Sequence, residues 1–117
     1  MLLDANALLM PFQFGLHLDA ELRRLLGDVD VRVPDAVLRE LEALAGSDRH
    51  ARSALQLARA YTPIEAHGSA DDALLEIAVA RAGIVVTNDA ALRERLRGAR
   101  VPVAFLRSRN HLVVEGL

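Results

Sequence analysis

Ile84-Val85-Val86-Thr87-Asn88-Asp89 is the segment that says most about the fold, because an uninterrupted apolar run leads directly into three polar residues. A strand exposed on one face alternates apolar with polar side chains, whereas a strand covered on both faces is apolar throughout. The run over residues 84–86 therefore predicts a central strand of a buried sheet, with polar residues where that strand ends.

Similar short apolar segments recur along the chain and alternate with helical patterns. Further strands are predicted at residues 1–4, 31–33, 61–65 and 101–106. Helices are predicted at residues 19–26, 35–45, 69–82 and 90–96, and a further helix begins at residue 47 or 48. A loop is predicted over residues 11–18. Because parallel strands need crossover connections, this alternation predicts an α/β fold with helices on both faces of a parallel sheet.

Length and composition favour one domain spanning residues 1–117, with a core built mainly from aliphatic side chains. Hydrophobic residues make up 52% of the chain and aromatic residues only 3%. The absence of cysteine excludes disulfides, thiolate zinc sites and cysteine nucleophiles, and fits a reducing compartment. We expect no signal peptide, because Asp4 stands where basic residues would precede the apolar run, and no membrane span. A cytoplasmic protein without membrane contact is therefore expected.

The arginines are unevenly distributed, although the net charge is only −2. All fourteen basic residues are arginines, and six of them lie between residues 93 and 109 beside a single acid, Glu94. This C-terminal segment is able to contact phosphates. An ordinary solvated helix face is the alternative interpretation.

Four acidic residues are placed where a ligand site is expected. Asp4 ends the first strand and Asp89 follows the fourth, and ligands of open parallel sheets bind outside the carboxyl ends of strands. Asp72 begins the helix that leads into the fourth strand, a helix expected to be deeply buried, and Glu40 borders the apolar stripe of its own helix. Each acid also has a purely structural interpretation: Asp72 and Asp89 as helix caps and Glu40 as a surface residue. Asp4 fits such an interpretation least, because aspartate is rare in strands and no helix is expected beside it.

Coulomb repulsion indicates what such a cluster would need. Two carboxylates about 4 Å apart repel by roughly 4 kcal/mol at an effective dielectric near 20, so four of them require a cation. Hard oxygen donors, with Asn6, Thr87 and Asn88 as neutral helpers, favour Mg²⁺ or Mn²⁺ over zinc. The four histidines are scattered without the spacing of zinc ligands.

These motifs resemble the four acidic motifs of PIN-domain proteins. They read Leu-Asp-Ala-Asn (3–6), Leu-Arg-Glu-Leu (38–41), Asp-Asp-Ala-Leu (71–74) and Thr-Asn-Asp (87–89). The similarity covers nearly the whole chain, and residues 4–14, 70–74 and 103–109 most resemble archaeal Fcf1-like rRNA-processing PIN proteins. No single motif is specific, and the ordered set carries the resemblance.

The resemblance implies a three-layer α/β/α sandwich with a central parallel sheet, acting as an endoribonuclease with one or two Mg²⁺ or Mn²⁺ ions. Asp4, Glu40 and Asp89 match the family's first, second and fourth acids. Asp72 is chosen as the third because it directly precedes Ala73-Leu74, which leaves Asp71 as an auxiliary ligand. RNA would be the substrate, hydrolysed to a 5′-phosphate and a 3′-hydroxyl, and four arginines are candidates for contacting its backbone: Arg93, Arg97, Arg107 and Arg109.

Several interpretations stay open at this point. The alternatives within the family are a toxin-type PIN ribonuclease held by an antitoxin, and a catalytically quiet PIN module that binds RNA or protein in an assembly such as a pre-ribosome. A homodimer is compatible with each. A nucleotide-binding or phospho-receiver module shares the sheet and the clustered aspartates, but the chain has no glycine-rich phosphate loop and no lysine.

Overall fold

The structure, a computed structural model, describes residues 1–117. Its strands are β1 Leu2–Leu3, β2 Arg32–Pro34, β3 Thr62–Ile64, β4 Val85–Val86, β5 Val103–Arg107 and β6 His111–Glu115. They form one sheet in the order β3-β2-β1-β4-β5-β6. All neighbouring pairs from β3 to β5 are parallel, and β6 runs antiparallel to β5.

Six helices connect and cover these strands. They are α1 Ala5–Phe14, α2 Leu18–Leu26, α3 Asp35–Ala45, α4 Arg49–Ala58, α5 Ala70–Arg81 and α6 Ala90–Gly98. A mostly parallel sheet flanked by helices is the predicted three-layer α/β/α architecture, which is confirmed. No helix has the length and apolar character needed to cross a membrane.

The core is aliphatic, as the composition predicts. Both residues of β4 are completely buried, and so are Leu3 of β1, Leu8 of α1 and Leu41 of α3. Apolar side chains from the strands and the helices form one continuous cluster. Close packing of this kind fixes the ends of β1 and β4 relative to α3 and α5.

Two elements were not predicted. Helix α1 has no counterpart in the predicted elements, and its last residues, 11–14, fall in the predicted loop over residues 11–18. Pro11 is accommodated inside this helix, which ends at Gly15 with φ +69°. Strand β6 was missed because the turn after β5 was not recognised as a hairpin connection. Its register with β5 runs from Arg107 opposite His111 to Val103 opposite Glu115.

The order of the strands reverses at β1, which defines where the candidate site lies. From β1 the chain first builds outward through β2 and β3, and then returns to place β4 and β5 on the other side. Parallel pairing puts Leu2 opposite Val85 and Leu3 opposite Val86. The residues that follow β1 and β4 therefore meet at the same edge of the sheet, at a topological switch point.

Candidate metal centre

Asp4 directly follows β1 and is the one buried acidic residue, with 6% of its surface exposed. Its Oδ1 accepts a hydrogen bond of 2.7 Å from the backbone N–H of Ala7, so Asp4 is the N-cap of α1. Its Oδ2 accepts a hydrogen bond from the Thr87 hydroxyl. The expectation that no helix starts beside Asp4 is thus wrong, since this aspartate both ends a strand and caps a helix.

Burial dominates the ionisation of Asp4. Loss of solvent raises the pKa of its carboxyl to about 7, although the hydrogen bonds from Thr87 and Ala7 favour the charged form and oppose the rise. Repulsion from Asp71 and Glu40 adds to the increase. Neither hydrogen-bond partner is charged, so this buried carboxylate lacks a compensating cation within the protein.

The loop after β4 is tied to three other elements by its side chains. The Thr87 hydroxyl accepts a hydrogen bond of 3.1 Å from the N–H of Asp89, whose own carboxylate caps α6 by accepting from Leu92 at 3.1 Å. Asn88 Oδ1 accepts from the N–H of Leu106 at the end of β5. Asn88 is therefore engaged in holding the loop, whereas Asn6, the other amide predicted as a helper, is exposed.

Glu40 of α3 and Asp71 of α5 bring two further carboxylates toward Asp4 and Asp89. Partial desolvation raises the pKa of Glu40, and repulsion from Asp71 and Asp89 adds to the rise. Desolvation and repulsion from Asp89 raise the pKa of Asp71, and the positive charge of Arg95 opposes this rise. Four acids from distant parts of the sequence thus share one electrostatic environment.

The structure places Asp71 in this group, not Asp72, which was predicted as the third acid. The helix is less buried at this position than expected: the Asp72 side chain is 65% exposed and forms an ion pair of 2.7 Å with Arg95. Arg95, followed by the hydroxyl of Ser69, lowers the pKa of Asp72.

The reason for this difference is the direction of each residue around α5. Residues three and four apart share a helix face. Asp71 shares its face with Leu74, which is fully buried, whereas Asp72 shares its face with the exposed Glu76. Two adjacent acids with the same apparent motif therefore point in different directions.

The donor set fits a hard divalent cation, although the side chains are not arranged as a closed ligand shell. No three acidic or histidine side chains converge closely enough in this conformation to hold one ion. The available donors are carboxylate oxygens, which Mg²⁺ and Mn²⁺ prefer, and the buried Asp4 has no positive partner. Such an ion would be held by Asp4, Glu40, Asp71 and Asp89.

Of the four arginines predicted to contact RNA, two are engaged with an acid. Glu115 lies 3.6 Å from Arg93 and 3.0 Å from Arg97, and the Arg93 guanidinium also stacks 3.9 Å from the ring centroid of Phe105. Arg107 and Arg109 are exposed and form no ion pair.

Two arginines that the sequence interpretation did not select line a cavity beside the acids. This open cavity of about 560 Å³ is lined by Arg39, Arg95, Glu40 and Asp71, together with the residues just before and at the start of α5. The sequence does indicate Arg39, because this residue directly precedes Glu40 in the second motif. Arg95 could not be singled out from the sequence, because arginine occurs at three alternate positions of α6: Arg93, Arg95 and Arg97.

Two comparisons relate the chain to known proteins. A family model described as a PIN like domain matches residues 1–109, a range that contains all four acids. The chain is 29% identical over 117 residues to Ribonuclease VapC9 of Archaeoglobus fulgidus, an alignment that covers 96% of this chain and 86% of VapC9.

Proposed function

Since the chain belongs to the PIN-like domain family, we propose that it is a divalent-metal-dependent endoribonuclease that hydrolyses RNA phosphodiester bonds. The observation that carries this proposal is that Asp4 and Asp89 follow neighbouring parallel strands at the switch point of the sheet and share the Thr87 hydroxyl, with Glu40 and Asp71 near enough to raise the pKa of Asp4. The ribonuclease name of VapC9 supports RNA as the substrate. The proposal takes residues 1–117 as one PIN domain acting in the cytoplasm.

The protein side chains have distinct tasks in this mechanism. When bound, Mg²⁺ or Mn²⁺ would lower the pKa of an attacking water and would supply positive charge at the scissile phosphate. Asp4 is held rigidly by Thr87 and Ala7, while the exposed Glu40 has the freedom to adjust its side chain to an ion. Water is the nucleophile in this proposal, which predicts products with a 5′-phosphate and a 3′-hydroxyl.

Cleavage of a labelled single-stranded RNA tests the proposal. We expect cleavage with Mg²⁺ or Mn²⁺, its loss with excess EDTA and its recovery when Mn²⁺ is restored. Asp4→Asn and Glu40→Gln should each lower the rate by at least about 100-fold, because even outer-shell partners of metal ligands are worth about 10- to 100-fold. The matched control is Glu42→Gln, an exposed acid on the same helix. Undiminished cleavage in EDTA would contradict the mechanism.

A toxin-type ribonuclease held by an antitoxin is the second candidate, and an apolar surface near α1 favours it. Phe12 and Phe14 are 38% and 40% exposed, and Phe12 lines an open cavity of about 410 Å³ together with Leu16 and Leu57. A small apolar peptide segment suits such a surface. A peptide that copurifies with the protein, and growth arrest on expression without it, would support this role.

Processing of rRNA within a pre-ribosome is the other cellular role we consider, and it rests on the motif resemblance alone. Crosslinking the protein to RNA in its native cells and sequencing the bound fragments separates the two roles. Ribosomal precursors would support processing, whereas tRNA or mRNA fragments would support the toxin role. Specific crosslinks without cleavage by the purified protein, alone or as a homodimer, would instead support a catalytically quiet RNA-binding module.

A further inference from the structure

The cavity beside the acids contains charges of both signs, and this mixture is not explained by metal binding. Glu40 and Asp71 contribute carboxylates to it, and Arg39 and Arg95 contribute guanidinium groups from two different helices. A site that only binds a cation gains nothing from positive side chains, since they repel the ion. A site that also accepts a phosphate needs both kinds of charge.

Arg39 is held by a single hydrogen bond and has no ion-pair partner. One of its terminal nitrogens donates a hydrogen bond of 3.0 Å to the carbonyl oxygen of Ala66, and the side chain makes no ion pair. A guanidinium has five N–H donors in a fixed planar arrangement. This single bond therefore orients Arg39 and leaves most of its donors available to a ligand.

Arg95 is held by a contact that a ligand can replace. Its only hydrogen bond within the protein is to Asp72 Oδ1, at 2.7 Å, and the two side chains are 44% and 65% exposed. Exposed ion pairs of this kind are weak because water and salt screen them. A phosphate offers a guanidinium two parallel charge-assisted hydrogen bonds, so it competes well with Asp72.

The geometry points to a phosphate clamp: we infer that Arg39 and Arg95 bind the backbone of single-stranded RNA in the cavity they share with Glu40 and Asp71. This inference rests on the proposed function, because it assigns residues that position the RNA substrate. The Asp72 N–H at the start of α5 is already capped by the Ser69 hydroxyl at 3.2 Å, so the attraction for an anion comes from the two guanidinium groups. The acids would hold the cation while the clamp holds the flanking phosphates.

Binding measurements test the clamp separately from cleavage. The variants are built on an Asp4→Asn background, in which the proposed function expects cleavage at least about 100-fold slower than in the wild type. Binding of a 5′-labelled single-stranded RNA is followed by fluorescence anisotropy with Mg²⁺ present. Arg39→Gln and Arg95→Gln should each weaken binding by about 10-fold, and each should reduce the slope of log K against log salt by about 0.7 per lost phosphate contact. Arg39→Lys keeps the charge and should recover part of the loss.

The control is Arg59→Gln, which changes an exposed arginine at the end of α4 that does not line the cavity. Thermal unfolding of each variant confirms that folding is retained. Unchanged affinity and salt slope in both glutamine variants would overturn the clamp, even if the wild-type protein cleaves RNA. Wild-type protein that binds RNA through these arginines but never cleaves it would overturn the proposed function and leave the clamp standing.

Discussion

The Thr87 hydroxyl donates a hydrogen bond to the Asp4 carboxylate, joining residues 83 positions apart in the chain. The same hydroxyl accepts from the N–H of Asp89, so one buried oxygen connects the end of β1 with the loop after β4. The separation of the first and fourth acids is therefore set by a side chain that is itself uncharged. Thr87 acts as a positioning residue for both.

Thr87→Val measures how much these two hydrogen bonds stabilise the protein, because valine keeps the shape of the side chain and removes the hydroxyl. The variant leaves Asp4 Oδ2 and the Asp89 N–H without their partner, which should cost about 1–3 kcal/mol in the free energy of unfolding. Urea denaturation measures this loss. Thr87→Ser retains the hydroxyl and should recover most of it, and equal stability of the valine variant and the wild type would show that the bond is unimportant.

Asp71→Asn and Asp72→Asn are adjacent substitutions with opposite expected outcomes. The first removes a carboxylate that is coupled to Asp89 and should lower the rate of RNA cleavage by at least about 100-fold. The second removes an exposed partner of Arg95, a contact worth at most about 1 kcal/mol, and should change the rate less than about fivefold. Single-turnover cleavage assays compare them directly. The reverse order of effects would restore Asp72 as the third acid.

The raised pKa of Asp4 predicts a specific dependence of stability on pH. Folding raises this pKa from 3.8 to about 7, so the unfolded chain loses the proton first as pH increases. Stability without metal should therefore fall between about pH 4 and pH 7, by up to about 1.4 kcal/mol per pH unit. Denaturation in EDTA over this range measures the slope.

Asp4→Asn provides the control for this dependence, because asparagine does not titrate. Its stability should change less steeply with pH over the same range. Added Mg²⁺ should stabilise the wild type more at pH 8 than at pH 5, since metal binds the ionised carboxylates. A steep profile that survives in Asp4→Asn would show that another group is responsible.

Ala82 ends α5 in a left-handed conformation, with φ +51°, which is unfavourable for a residue with a side chain. Ala82→Gly should therefore stabilise the protein by about 0.5–1 kcal/mol. Ala80→Gly, at an exposed position in the last turn of the same helix, should destabilise it by up to about 1 kcal/mol. Thermal unfolding should show shifts of opposite sign, and two shifts of the same sign would contradict this reading of the cap.

The buried parallel sheet was predictable from sequence because its signal is local. The apolar run at residues 84–86 and the regular alternation with helices identify the fold, and parallel pairing then places Asp4 near the loop that contains Asp89. Strand-end positions carry this information without any knowledge of side-chain direction.

What could not be predicted depends on orientation and on contacts between distant elements. Asp71 and Asp72 differ only in direction around α5, and Arg95 is recognisable as a cavity residue only when α3, α5 and α6 are packed together. Similarly, Glu115 pairs with Arg93 and Arg97 because of β6, which the sequence interpretation missed. Charge counting along the chain cannot detect that neutralisation.

Calorimetric titration with Mn²⁺ tests whether Asp4, Glu40, Asp71 and Asp89 share one hard cation. We expect saturable binding by the wild type, at least about 10-fold weaker binding in Asp4→Asn and Asp71→Asn, and unchanged binding in Asp72→Asn. Absence of Mn²⁺ binding by the folded wild type, or binding that none of these substitutions weakens, would show that these acids do not form a shared cation site.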